Sequence, residues 1–131
     1  MKVLIINFFI LLKVLLVSNN LYAGYLNGYE EFKNENYQSA FEHWQEGADQ
    51  NDTLSQFYLA LLYKNGLGVK QDYSKAFDLF EIVSVKGLIE GNYNLGLLYY
   101  NGLGVEKNYN KAFFNFNIAK DKIVESYYYL G

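Results

Sequence analysis

The chain has 131 residues, 51% apolar and 19% aromatic, with a formal net charge of −3 at neutral pH. That length gives room for one domain, and the apolar share excludes a disordered tail. With no cysteine, disulfides, thiolate metal sites and cysteine nucleophiles are excluded, and fourteen acids against nine lysines after residue 23 exclude electrostatic capture of nucleic acid.

Residues 1–23 carry a short charged start, Met1 and Lys2, an apolar run from Val3 to Leu12, and a small residue, Ala23, before Gly24. This layout predicts a secretory signal removed after Ala23. The alternatives are an uncleaved membrane anchor, for which Val3 to Val17 is short against the roughly twenty residues of a span, and, last, a buried helix of the domain itself. Either of the first two readings exports the rest of the chain, to the periplasm or outside the cell, and confines any membrane contact to this segment.

From residue 24 onward the sequence is periodic. A first hairpin is expected over 24–52, with a break at 34–36, then a repeat over 53–88, a second over 89–124, and the start of a truncated one over 125–131. Tyr37, Ala40, Phe41 and Trp44 recur thirty-six residues later as Tyr73, Ala76, Phe77 and Phe80, and again as Tyr109, Ala112, Phe113 and Phe116. Offsets of three, four and seven place each set on one helix face. The small Ala lets a neighbouring backbone approach while the rings fill the flanks. Preceding helices read SQFYLALLYKNG from Ser55, GNYNLGLLYYNG from Gly91 and SYYYLG from Ser126. Each pair of helices forms a hairpin whose apolar face is buried only by stacking on the next. The fold class expected is all-α, an α-solenoid of stacked hairpins.

The sequence NGLGV occurs twice, at 65–69 and 101–105. A phosphate cradle needs a strand before the glycines and either a third glycine or a Gly-Lys-Ser/Thr end, and neither is present. Gly66 and Gly102 are read instead as left-handed residues that end a helix, with Gly68 and Gly104 permitting the reversal into the next.

These residues resemble the Sel1-like repeat family, relatives of the tetratricopeptide repeats. Gly91, Leu95, Gly96, Tyr99, Gly102, Gly104, Val105, Tyr109, Lys111, Ala112 and Phe116 carry the motif, and Ser55, Leu59, Tyr63, Gly66, Gly68, Val69, Asp72, Tyr73, Lys75, Ala76 and Phe80 carry its preceding copy. Ala60 stands for the first-helix Gly and Asn108 for the Asp. The resemblance implies a solenoid whose concave side binds other proteins, often in the bacterial envelope. It also implies an alternative, a hydrolase of β-lactam or cell-wall amides, as described for cysteine-rich members whose repeats are stapled by disulfides.

No catalytic apparatus is expected. His43 has only Glu42 and Glu46 nearby, too common a pattern to count as a metal site. The serines lack a repeated base. No cofactor or metal is called for. What remains is a row of first-helix residues, Tyr58, Leu62, Asn94 and Leu98, flanked by Tyr100 and Tyr129, that would line one surface across stacked units and take a peptide or helix of a protein partner. The plainer reading makes them further contacts between helices. The function expected is therefore an exported, non-enzymatic scaffold, with the hydrolase and a structural spacer within a longer protein as alternatives.

Overall fold

The computed structural model describes residues 2–120, and the expected start of a further repeat at 125–131 lies outside them. Six α-helices follow one another: α1 (Lys2–Lys33), α2 (Tyr37–Asp49), α3 (Thr53–Asn65), α4 (Tyr73–Val85), α5 (Ile89–Asn101) and α6 (Tyr109–Ala119). No strand occurs among the described residues. Each helix packs on its predecessor and its successor, so the architecture is a stack of three hairpins, an α-solenoid.

The glycine joints explain the stacking. Gly66 and Gly102 close α3 and α5 at φ 67°, in the left-handed region that glycine adopts without a Cβ penalty. The chain is then stapled alike in both copies, with the Asp72 amide donating to the Tyr63 carbonyl and the Asn108 amide to that of Tyr99, each at 2.9 Å. Asp72 and Asn108 go on to cap α4 and α6, their side-chain oxygens accepting from the Lys75 and Lys111 amides at 3.0 and 2.9 Å. Asn is thus a working substitute for Asp at this cap.

Each loop also seats on the unit before it. A Cβ at Gly68 would collide with the backbone of Tyr37 at the start of α2, and one at Gly104 with the backbone of Tyr73 at the start of α4. The ring contacts repeat as well. Phe41 meets Tyr63 edge-on at 5.7 Å, Phe77 meets Tyr99 at 5.3 Å, and Lys75 and Lys111 lie over those same tyrosines at 5.1 and 5.2 Å. Phe113, the third member of the series, is 55% exposed, with no such tyrosine covering it among the described residues.

The first unit departs from the thirty-six-residue register. Only residues 34–36 separate α1 from α2, whereas residues 66–72 and 102–108 separate the later pairs. The shorter connection moves α1 by one helical turn relative to its counterparts. Gly28 lies under the Trp44 indole as Gly96 lies under the Phe116 ring, so Gly28 takes the place that the thirty-six-residue spacing gives to Gly24.

The helix α1 also runs unbroken through the segment expected to be a separate signal. Its apolar side chains from Ile5 to Leu16 are exposed all round, and among the described side chains Gly24 is the first position to gain cover. Among the described residues no helix is long and apolar enough to cross a membrane.

Candidate protein-binding face

The first helices lie close together. Helix α1 touches α3 directly, and α3 is tied to α5 where Lys64 Nζ donates to Asn94 Oδ1 at 2.8 Å. The second helices α4 and α6 stand apart, leaving a cleft of about 600 Å³ whose floor includes Leu95 and Tyr99 of α5. The first-helix layer is therefore the inner side of the curve and the second-helix layer the outer.

The four expected face residues have different fates. Leu62 and Leu98 are 0% exposed and belong to the core, which corrects their assignment to an open surface. Seven residues after Ser55 and Gly91, they return to the side of the helix turned toward the stack. Asn94 is 6% exposed and acts as a strap: its Nδ2 donates to the Glu90 carbonyl at 2.9 Å while its Oδ1 takes the Lys64 ammonium. Burial of Lys64 lowers its pKa, because no carboxylate within ion-pair distance offsets the desolvated charge among the described residues.

Tyr58 is the one of the four that keeps access to the inner side. Its ring stacks on Trp44 at 4.8 Å and meets Tyr25 at 5.5 Å and Tyr29 at 6.2 Å, joining α1, α2 and α3 in one aromatic cluster. Burial pushes its hydroxyl up to about 12, helped by a hydrogen bond with Tyr25 and by the charge of Glu90. A folded pKa above the unfolded value near 10 means stability that is whole below pH 10 and lost as pH rises from there toward 12. Tyr58→Phe should flatten that part of the stability profile, as measured by circular dichroism during an alkaline titration.

The open row lies about one residue round the helices from the expected line. Leu54 is exposed and Leu61, seven residues on, is half-buried; Glu90 and Leu97 hold the equivalent positions on α5. Tyr29 and Tyr100, both exposed, continue the row at either end. The Leu61 and Leu97 pair, thirty-six apart, was the sequence signal for this face. Chemically the row offers aliphatic and aromatic contact with one lysine and one glutamate at its edges.

No group of three or more His, Asp or Glu that could hold a metal occurs among the described residues. His43 lines a small polar cleft with Asn27, Glu46 and Gln50 beside Ala23 and Gly24.

The pattern of small residues, capped joints and ring contacts is matched by the model of the Sel1 repeat, over residues 17–52, 53–82 and 89–122. The chain belongs to the Sel1 repeat family. The first matched Sel1 repeat opens at residue 17, within the segment read from sequence as a signal. Three solved structures are similar. A protective antigen of uropathogenic Escherichia coli strains displaying an SLR fold shares 29% identity at a TM-score of 0.76, over 88% of this chain and 26% of that one. A Sel1 repeat protein from Oxalobacter formigenes shares 27% identity at a TM-score of 0.72, over 78% of this chain and 42% of that one. The cysteine-rich protein B of Helicobacter pylori shares 25% identity at a TM-score of 0.68, over 84% of this chain and 88% of that one. This chain thus spans about a quarter of the first of these and under half of the second. None of the curated proteins matches it. Sel1 repeats generally mediate protein–protein interaction, and their fold is typically a non-enzymatic scaffold.

Proposed function

We propose that this Sel1 repeat protein is an exported, non-enzymatic adaptor that binds an extended or helical segment of another protein along its first-helix face. The observation that carries the reading is the row of Leu54, Leu61 and Leu97 between Tyr29 and Tyr100, apolar side chains held in line by rigid helices on the inner side of the stack. Anchors of this kind bind through desolvated apolar contact with a polar rim. Tyr58 and Asn94 take part from below, Tyr58 by fixing the aromatic floor and Asn94 by holding Lys64 at the edge.

Export is supported by the N-terminal part of α1, where Ile5, Ile6, Phe8, Ile10 and Leu11 are exposed on all sides of the helix. A helix apolar all round is not stable in water, so such a segment belongs to a translocation signal handed to the membrane and cut away after Ala23.

The test is photo-crosslinking in the native cell from a probe at Leu97, with the trapped protein identified by mass spectrometry. A single dominant product that disappears in a Leu61→Asp, Leu97→Asp variant of unchanged helicity supports the adaptor. Crosslinks confined to its own chain, or capture unaffected by the two substitutions, would overturn the assignment of this face.

A further inference from the structure

Residues 50–52 join α2 to α3, and they open a tripeptide that the binding face does not use. In Asn51-Asp52-Thr53 an asparagine is followed two positions on by a threonine, with no proline between them. That is the acceptor pattern for N-linked oligosaccharide on the surface turns of exported proteins. No other asparagine of the chain is followed at that spacing by Ser or Thr. A three-residue pattern also arises by chance, so the geometry around it decides.

Asn51 is exposed, in the turn, at φ 66°. Its carboxamide has one fixed orientation. Lys86 Nζ, which can only donate, lies 2.7 Å from Asn51 Oδ1 and 3.0 Å from the Asn51 backbone carbonyl, and Gln56 Nε2 approaches the same Oδ1 at 3.5 Å. The side-chain oxygen is thereby engaged by α3 and by the end of α4, and Nδ2 is left on the other side of the carboxamide. Among the described residues no hydrogen bond holds Asn51 Nδ2 or the Thr53 hydroxyl. The two groups on which glycosylation depends are thus the two that this turn leaves unengaged.

The needs of the turn account for only one of them. Thirty-six residues on, the counterpart of Asn51 is Gly87, at φ 90°, so position 51 requires a residue that tolerates the left-handed region, and asparagine does. The counterpart of Thr53 is Ile89, which opens α5 without a hydroxyl. The fold therefore explains Asn51 and leaves Thr53 to be explained.

We propose that Asn51 is an N-glycosylation acceptor, modified once the chain is outside the cytoplasm; the proposal rests on the export read above. The donor is an oligosaccharide linked to a polyprenyl diphosphate. Transfer forms a bond from Asn51 Nδ2 to the anomeric carbon of the first sugar and breaks the bond from that carbon to the diphosphate oxygen. The lipid diphosphate is the leaving group, one amide proton is released, and nothing is oxidised or reduced. The glycosylated amide keeps its carbonyl, so the bond from Lys86 to Oδ1 survives the modification.

The experiment recovers the protein from cytoplasmic and exported fractions of its native cell and reads its intact mass and its fragments by mass spectrometry. The exported chain is expected to carry a sugar increment placed on Asn51 by fragmentation. The increment should be lost in Thr53→Val and kept in Thr53→Ser. Thr53→Val leaves Asn51, its left-handed turn and its tie to Lys86 in place, and unchanged helicity and Tm separate a lost acceptor from a lost fold. An exported chain of unmodified mass, or an increment that survives in Thr53→Val, overturns the acceptor and leaves the export standing. A chain confined to the cytoplasm overturns the export and the acceptor with it.

Discussion

Gly104→Ala should unfold a large part of this protein's stability reserve, at a cost of about 3 kcal/mol, read as a shift in the urea midpoint. Two causes add. The residue sits at φ 68°, where a side chain is strained, and its Cβ would be driven into the backbone of Tyr73, which opens α4 and cannot give way as a side chain can. Gly102→Ala is the internal control. It shares the left-handed conformation at φ 67°, yet its added Cβ would meet only the Lys107 side chain and nearby backbone at 3.1 Å and beyond, so a cost of about 1 kcal/mol is expected. Equal costs at the two positions would show that the loop is not seated on the preceding unit.

Trp44→Ala should be as damaging, at about 3–5 kcal/mol. Against the marginal stability of about 5–15 kcal/mol for a domain, that is enough to leave a substantial unfolded fraction. The indole is fully buried, stacks on Tyr58, meets Phe32 at 5.7 Å, and fills the space left open at Gly28. Its loss removes the only ring, among the described residues, through which α2 meets Tyr58, and the bond from its Nε1 to the Tyr25 carbonyl goes with it. The Tyr58 hydroxyl would then regain water, and its raised pKa should fall back toward 10. Circular dichroism in urea gives the first quantity and ultraviolet titration of the tyrosines the second; a variant with native stability would mean that the cluster holds without its centre.

The architecture was legible because it repeats. Ala40, Ala76 and Ala112 are buried where the stripe required small residues, and the helix-ending glycines at 66 and 102 adopt the backbone their spacing implied. The binding face was not legible in the same way. A period of thirty-six identifies equivalent positions, but which side of a helix stays open depends on where its neighbours lie, and Leu61 and Leu62 carry the same residue type one step apart. The structure buries Leu62 completely and leaves Leu61 partly open. The aromatic cluster escaped for another reason: Tyr25 and Tyr29 come to Tyr58 only after the short 34–36 connection shifts α1 by a turn, which an alignment at constant period conceals.

The ladder of contacts between successive units also sets how fast the molecule assembles. Among the described residues the longest side-chain hydrogen bond, from Lys86 to Asn51, spans 35 residues, and the others that cross between units span 30. Little chain entropy is lost in closing loops of that size, and none of these contacts must wait for a distant end of the chain. Such a low contact order predicts formation in microseconds to milliseconds, with any one hairpin able to start the process and its neighbours zipping on in either direction.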